Sequence, residues 1–332
     1  MKGLVVFLLF VSSGFSFPDL YNSEPYFQLL EWQNTQLNYD EVSTKYTLKV
    51  DKQRLWMYVY TRQDLAGTRI SLDEAHNITH VSSFNTSKPT YIYTHGWTTK
   101  YTSNDGVQIR EAILNTSEVN VLLYDWDYCA TNIIYTTAWG CVEEVGNYLG
   151  SFLTELSDSY GYSLEDVTLI GHSLGAHISG YAGKATNGTL PVIVGLDPAG
   201  PLFFEDQPNH RLNATDAKYV QVIHTSAILI GLNYNVGVAD FWPNGGHIQN
   251  GCEAYAIEFG RCSHIRAFMY YAESVLLNDF QGQVCDSYED FAKNKCSNNE
   301  KGYMGGINVD TSLKGVFYLK TNSQSPYGQG DL

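Results

Sequence analysis

Residues 167–177 read VTLIGHSLGAH, and this stretch constrains the fold more than any other part of the chain. A β-prone apolar run meets a turn in which Gly171 and Gly175 bracket Ser173, and a segment with helical character follows. A serine on so sharp a turn has a strained backbone, and glycines on both sides allow the strand and the helix to approach each other. The pattern predicts a strand–turn–helix unit that lifts the Ser173 hydroxyl above a sheet edge, with the Leu174 amide beside it.

Strand-like and helix-like segments alternate around this unit. Strand-like segments occupy residues 54–62, 91–97, 119–127, 192–197, 218–224 and 315–320, and residues 141–160 have helical spacing of their apolar side chains. Residues 63–89 are predicted to be loop and residues 241–246 a turn cluster. The alternation predicts one α/β domain with a mostly parallel central sheet flanked by helices, in which ligands bind beyond the carboxyl ends of the strands.

One strand-like segment ends in His95-Gly96-Trp97. Gly96 allows the backbone to turn so that the Trp97 amide faces the serine. Together with the Leu174 amide, it would bind the oxyanion that forms when the serine attacks a carbonyl. Packing of the Trp97 ring is compatible with this role, because only the amide takes part.

A serine nucleophile needs a base and a group that orients the base. Asp197 is the best candidate for the orienting acid, because it follows Ser173, closes a strand and precedes a rigid turn containing two prolines. Asp216 and Asp240 are weaker candidates for the same role.

Four histidines follow Asp197 and are candidates for the base. His210 and His247 are predicted to lie in polar turns, whereas His224 ends a strand and is a real competitor. His264 is predicted to lie on a loop between Cys262 and a helix over residues 265–277. That placement suits a catalytic base, so His264 ranks first and His224 second.

The amino terminus predicts export. Lys2 precedes a short apolar run over residues 4–11, and small residues stand at positions −3 and −1 of a cleavage site after Ser16. The run is too short to span a membrane. We therefore expect a signal peptide over residues 1–16 and a secreted, extracellular mature chain over residues 17–332.

Six cysteines in an exported chain indicate disulfides. They are Cys129, Cys141, Cys252, Cys262, Cys285 and Cys296. The sequence leaves their connectivity open, although closeness in the chain favours 129–141, 252–262 and 285–296, and no Cys-x-x-Cys spacing supports zinc. Five sequons for N-glycosylation are present, at Asn77, Asn85, Asn115, Asn187 and Asn213.

The formal net charge of −15 argues against binding to nucleic acid and against simple attraction to anionic membranes.

Five motifs occur in order and at fitting intervals. They are His95-Gly96-Trp97, the stretch 171–176 (GHSLGA), the stretch 195–201 (GLDPAGP), the stretch 240–246 (DFWPNGG) and Cys262-Ser263-His264. Together they resemble the animal pancreatic-lipase-like family of secreted lipases over about residues 45–325. The resemblance implies an α/β-hydrolase fold, a Ser173–Asp197–His264 triad and an oxyanion hole from the amides of Trp97 and Leu174. It also implies that a Cys252–Cys262 disulfide closes a lid, and that the reaction needs no cofactor.

Departures from the family pattern refine the expectation. The lid has nine residues and the span between His224 and Asp240 has fifteen, and both look short, as in the phospholipase A1 branch of the family. The chain stops where the family's C-terminal β-sandwich begins, so we expect no colipase. The family's calcium loop resembles residues 211–216, with Asn213 and Asp216 as oxygen donors, but the acidic residue expected before Arg211 is missing. We therefore expect no metal.

The leading hypothesis is a phospholipase A1-type enzyme that acts on lipid at a membrane or emulsion interface. The alternative is a neutral lipase for triacylglycerol or diacylglycerol. A third reading is a non-catalytic lipid-binding or yolk-type storage protein of the same fold. That reading predicts a lost nucleophile or base, whereas all three triad positions are filled here.

Overall fold

The computed structural model of the protein describes residues 39–252 and 258–332. The predicted signal peptide and residues 253–257 of the predicted lid lie outside the described residues. The described strands form one sheet of eleven strands. They are β1 (Trp56–Thr61), β2 (Asp64–Ser71), β3 (Thr90–Thr94), β4 (Asn120–Asp125), β5 (Val167–His172), β6 (Val192–Leu196), β7 (Tyr219–Ile223), β8 (Ala239–Pro243), β9 (Gln281–Val284), β10 (Lys301–Tyr303) and β11 (Gly315–Leu319).

The sheet order is β10-β9-β11-β8-β7-β6-β5-β3-β4-β1-β2. The seven strands from β11 to β4 pair in parallel. The remaining strands, β1 and β2 on one side and β9 and β10 on the other, pair antiparallel with their neighbours. The prediction of a mostly parallel α/β-hydrolase sheet is therefore confirmed. The register places Gly171 beside Gly195 and Leu196 beside Ile223, so the carboxyl ends of β5, β6 and β7 meet at one edge. We call this edge the carboxyl edge and the opposite one the amino edge.

Helices cover both faces of the sheet. They are α1 (Tyr39–Tyr46), α2 (Ile78–Val81), α3 (Asn104–Thr116), α4 (Asp127–Ala130), α5 (Tyr135–Tyr160), α6 (Leu174–Ala185), α7 (Glu258–Leu277) and α8 (Tyr288–Ala292). Buried side chains of α5 and α6 belong to the hydrophobic core on one face, and those of α3 and α7 belong to the core on the other. Burial on both faces explains why the central strands are continuous apolar runs.

The structure corrects two of the predicted loops. Residues 63–89, predicted as loop, contain the short helix α2 and the edge strand β2, in which only Ile70 is buried, so its side chains give no alternation of apolar and polar residues. Residues 241–246, predicted as turns, include the end of β8, which is fully buried between β7 and β11. Its proline is the last residue of the strand, so the missing N–H does not interrupt the strand.

Two helices begin earlier than predicted. Helix α5 begins at Tyr135 rather than at residue 141, and α7 begins at Glu258 rather than at residue 265. His264 therefore lies within a helix and not on a loop before it. The prediction was wrong because Gly260 and the disulfide cysteine Cys262 suggest a turn, whereas the helix tolerates both.

The disulfides are Cys129–Cys141, Cys252–Cys262 and Cys285–Cys296, the pairing that closeness in the chain favours. The second one joins the segment after β8 to helix α7, with 5.7 Å between the Cα atoms. It therefore ties the two ends of the predicted lid together two residues before His264. Within the described part of the chain, no helix is both long and apolar enough to cross a membrane.

Candidate active site

Ser173 stands at the turn between β5 and α6 with φ 58° and ψ −123°, a conformation that costs energy for any residue with a side chain. The flanking glycines are required by contact. A Cβ atom on Gly171 would lie 2.2 Å from the carbonyl oxygen of Gly175, and one on Gly175 would lie 2.2 Å from that of Thr94. The predicted strand–turn–helix unit is thus present, with both glycines at points of closest backbone approach.

His264 and Asp197 form a buried hydrogen-bonded pair. The Nδ1 atom of His264 lies 2.6 Å from Oδ2 of Asp197. The other carboxylate oxygen, Oδ1, accepts hydrogen bonds from the backbone N–H groups of Thr225 (2.8 Å) and Ser226 (3.0 Å). Asp197 is fully buried, and these donors fix its orientation and compensate its negative charge.

Contacts of the residues next to Asp197 and Ser173 bring the Asp197–His264 pair close to Ser173. The Ser173 amide donates to the Leu196 carbonyl, the residue before Asp197, at 3.0 Å. His172, the residue before Ser173, has its ring centroid 4.4 Å from that of His264, and its Nε2 atom donates to the His264 carbonyl at 3.1 Å. The structure therefore collects the three sequence-predicted residues at the carboxyl edge.

The residues that carry the two predicted oxyanion donors lie next to Ser173 or beside a residue in contact with it. Leu174 is the first residue of α6, so its N–H has no partner within the helix and points out of the helix end. A Cβ atom on Gly96 would lie 2.8 Å from the Cβ of Ser173, which brings the turn before Trp97 against the serine. The Trp97 ring is fixed separately, since its Nε1 donates to the Asn132 carbonyl at 2.7 Å.

The competing candidates have structural partners of their own. His224 contacts Oδ1 of Asp240 through Nε2 (2.8 Å) and the Leu232 carbonyl through Nδ1 (3.3 Å), and its ring stacks on Trp242. Both ring nitrogens of His224 are therefore engaged. Asp240 also accepts the backbone N–H groups of Val236 and Gly237, so both residues of this second histidine–aspartate pair have structural partners.

Asp216 is also paired elsewhere. Both of its carboxylate oxygens lie 2.6 Å from Nζ of Lys184, which also donates to the Arg211 carbonyl at 2.7 Å. Asn213, the other oxygen donor considered for calcium, uses its side-chain amide to bind Thr215 at 2.9 Å. The ammonium group of Lys184 thus already compensates the charge of Asp216. Among the described residues, no group of three histidine, cysteine or acidic side chains could hold a metal ion.

Two buried histidines beside the site are kept neutral. Burial, with a smaller contribution from His264, lowers the pKa of His172 to about 4, and burial lowers the pKa of His177 to about 3. For His177 the hydrogen bonds also select the tautomer. The Leu212 amide donates to its Nδ1 (3.0 Å), so Nε2 carries the proton and donates to the Ala199 carbonyl (2.8 Å).

These depressed pKa values predict loss of stability in acid. Between the unfolded pKa near 6.5 and the folded values near 4 and 3, the unfolded chain binds protons that the folded chain rejects, so stability falls as pH falls. Asp216, whose pKa burial raises to about 6, acts in the opposite direction and offsets one histidine. We expect the free energy of unfolding to fall by about 1–3 kcal/mol from pH 6.5 to 4.5. Urea unfolding at the two pH values measures it, and an unchanged or higher midpoint in acid would contradict it.

Comparison with known proteins decides the family. The sequence model of the family described as Lipase matches residues 27–327. The chain belongs to the lipase family. By this membership it is a carboxylic ester hydrolase that acts on lipids, and the resemblance inferred from the five motifs is confirmed.

The lipase relatives differ in how much of their length is matched. Phospholipase A1 of Vespa crabro is 37% identical over 284 residues, which cover 82% of this chain and 93% of that protein. Lipase member H of Oryctolagus cuniculus is 36% identical over 73% of this chain and 54% of that protein. Pancreatic triacylglycerol lipase of Sus scrofa is 36% identical over 82% of this chain and 66% of that protein. The chain spans about half of Lipase member H but nearly all of the Vespa phospholipase.

Sequence reasoning missed the groups that hold the site in place. The N–H donors of Thr225 and Ser226 are backbone groups and leave no signature in side-chain identity. A third histidine–aspartate pair, His95 Nε2 to Asp125 Oδ1 at 2.9 Å, braces the turn that leads to Trp97. Its only signal is that His95 directly follows β3 and Asp125 ends the neighbouring strand β4.

Proposed function

We propose that the lipase uses Ser173 as nucleophile, His264 as general base and Asp197 as the group that orients the base. The amides of Trp97 and Leu174 would form the oxyanion hole. The observation that carries this proposal is the 2.6 Å contact of His264 Nδ1 with Asp197 Oδ2, held by two backbone amides beside the strained serine turn. With Nδ1 turned to Asp197, Nε2 is the ring nitrogen that exchanges a proton with the serine.

The reaction proceeds in two halves. The Ser173 oxygen attacks the acyl carbonyl of the lipid ester while His264 takes the hydroxyl proton, and the two amides bind the resulting oxyanion. One such donor typically lowers the barrier by about 3 kcal/mol. His264 then gives its proton to the alcohol oxygen, and a lysolipid leaves. Water attacks the acyl-enzyme by the same steps and releases the fatty acid. These residues supply nucleophile, base and oxyanion donors, so the proposed steps use no cofactor.

We propose phospholipid as the preferred substrate, cleaved as by a phospholipase A1. A lid of nine residues would cover less of the mouth of the site than a long lid and would offer less apolar surface to an oil droplet. The match to nearly the whole Vespa phospholipase A1 supports the same reading. The alternative, a lipase for triacylglycerol or diacylglycerol, is supported by the identity to pancreatic triacylglycerol lipase.

We propose that residues 17–332 form a lipase domain that is secreted and extracellular after a signal peptide over residues 1–16 is removed. The signal peptide predicted over residues 1–16 and the three disulfides support export, because disulfides persist in oxidising compartments.

The test is fatty-acid release by the purified protein from phosphatidylcholine vesicles and from a triglyceride emulsion. Ser173→Ala is the inactive reference, and Ser179→Ala is the matched control. Ser179 lies on α6, is also buried and hydrogen-bonds only within the helix. We expect release mainly from phospholipid, abolished by the first substitution and retained with the second. Release mainly from triglyceride would overturn the substrate preference, and release that survives Ser173→Ala would overturn the triad.

A further inference from the structure

Four exposed isoleucines lie in loops at the same end of the sheet as the proposed active site, and we call them the isoleucine rim. Their exposed fractions are 59% for Ile133, 41% for Ile134, 46% for Ile228 and 42% for Ile248. They lie in three loops that follow β4, β7 and β8, so all four lie at the carboxyl edge of the sheet. A single exposed isoleucine needs no explanation, but several around one site indicate a binding surface.

Each loop of the rim contacts a neighbour of the triad. The Asn132 carbonyl, before Ile133, accepts the hydrogen bond from the Trp97 ring. The Ser226 amide, two residues before Ile228, donates to Asp197.

The third loop contacts the segment that carries the base. The Gln249 amide, after Ile248, donates to Oγ of Ser263 at 3.0 Å, and Ser263 precedes His264. The three loops of the rim therefore lie beside Trp97, Asp197 and His264, respectively.

The sequence around the rim carries no formal charge. The stretches 128–142, 219–239 and 241–252 contain no Asp, Glu, Lys or Arg, although these residues make up 17% of the chain. The net charge of −15 is therefore carried elsewhere. Cations from other parts of the chain pack against these stretches, as Arg54 does over the Tyr128 ring at 3.9 Å, but the rim loops themselves contain none. Such loops offer little attraction to anionic head groups, so the rim fits a neutral surface.

The five sequons lie at the amino edge. Helices run antiparallel to the strands that follow them, so the carboxyl ends of α3, α5 and α6 lie at the amino edge. Asn115 is in the last turn of α3, and Asn187 is two residues beyond α6. The Asn85 amide donates to the side chain of Asn120, where β4 begins.

The two remaining sequons are placed by their neighbours. Asn77 follows His76, whose carbonyl accepts from Tyr160 at the end of α5. Asn213 binds Thr215, whose carbonyl oxygen would be 2.7 Å from a Cβ atom on Gly188, beyond the end of α6. The carboxyl edge thus has no sequon among the described residues.

We propose that the isoleucine rim is the surface on which this lipase binds a zwitterionic phospholipid bilayer, with every glycan acceptor facing the water. This proposal rests on the proposed function, because it takes the Ser173 site to act on lipid. The isoleucines insert between the head groups and hold the mouth of the site at the membrane. Since the rim loops contain no cationic side chain, we expect binding to depend weakly on salt.

The first test measures flotation with phosphatidylcholine vesicles in the Ser173→Ala background, which prevents hydrolysis. The variants are Ile133→Ser with Ile134→Ser, Ile228→Ser and Ile248→Ser. The matched control is Leu276→Ser with Leu277→Ser, since these leucines are 53% and 57% exposed at the end of α7. That end lies at the amino edge, where Thr116 of α3 donates to the Val275 carbonyl.

We expect the double isoleucine variant to bind vesicles about tenfold more weakly, a factor that corresponds to about 1.4 kcal/mol, and the leucine control to bind as the parent does. When the double isoleucine variant retains Ser173, its rate of hydrolysis of vesicle phospholipid should fall by the same factor relative to its rate on a dissolved short-chain ester. Equal losses from rim and control variants would overturn the proposal. Tighter binding to vesicles that contain phosphatidylserine would also overturn it.

A second test adds bulk to the rim. Ile134→Thr creates a sequon at Asn132, and the matched control combines it with Asn132→Gln. In protein from a glycosylating secretory host, we expect vesicle binding to be lost with the new sequon and recovered after enzymatic deglycosylation. A glycan at Asn132 that leaves binding unchanged would overturn the proposal. Absence of Ser173-dependent hydrolysis of the dissolved ester would instead overturn the proposed function, so the two failures are distinguishable.

Discussion

Asp197→Asn should lower kcat on phospholipid by about 10⁴-fold while the protein stays folded. Oδ1 of Asp197 accepts two backbone N–H groups, so an asparagine would keep its carbonyl oxygen there and turn its NH₂ group towards His264. His264 would then present an unprotonated Nδ1 and carry its proton on Nε2. In that tautomer the imidazole cannot accept the serine proton.

The second histidine–aspartate pair provides the control. Asp240 binds His224 and the amides of Val236 and Gly237, so Asp240→Asn makes the same chemical change in an equally buried pair. We expect it to lower the free energy of unfolding by about 1–3 kcal/mol with kcat within about twofold of the parent. Steady-state rates on a dissolved ester and urea unfolding measure both quantities. If the Asp240 variant were inactive and the Asp197 variant active, Asp240 and not Asp197 would be the residue that orients the catalytic base.

Gly175→Ala should abolish folding. The new Cβ atom would lie 2.2 Å from the Thr94 carbonyl oxygen and 2.6 Å from that of His95, and both are backbone atoms in or next to a central strand. Neither can move without separating α6 from β3, so we expect a loss of more than about 4 kcal/mol of stability. The yield of secreted protein and its circular dichroism spectrum measure the outcome.

Gly161→Ala is the control for this prediction. Gly161 has φ 60° at the end of α5, and its Cβ position has no atom within 4 Å. An alanine there meets backbone strain but no clash, so we expect a loss of about 1 kcal/mol. If the Gly175 variant is secreted at the level of the Gly161 variant, close packing at the serine turn is not required.

The central strands and the serine turn were predictable because their signals are local. Apolar runs that are buried on both faces, and glycines around a serine, can be recognised without knowing what they pack against. Strand β2 escaped prediction because an edge strand faces solvent and its side chains do not alternate. The early start of α7 escaped because Gly260 and a disulfide cysteine suggest a turn, whereas packing of the helix in three dimensions tolerates both.

The candidate site was predictable only as a set of side chains. Ser173, Asp197 and His264 follow from their order and from their positions after strands. Their neighbours do not, because two amide groups on Asp197 and a ring contact from His172 depend on long-range packing. His224 remained a competitor in the sequence because the partner that occupies it, Asp240, lies sixteen residues away on another strand.

The proposed base is carried by a twenty-residue helix that packs on the sheet, rather than by a loop. The position of His264 is therefore inherited from the hydrophobic core, through buried residues such as Ala267 and Tyr270 one and two turns further along. Substitutions in the core beneath such a helix would shift the base itself, so few of them are tolerated during evolution. New substrate ranges are more accessible through the loops around the mouth, which can vary in length and composition without moving the chemistry.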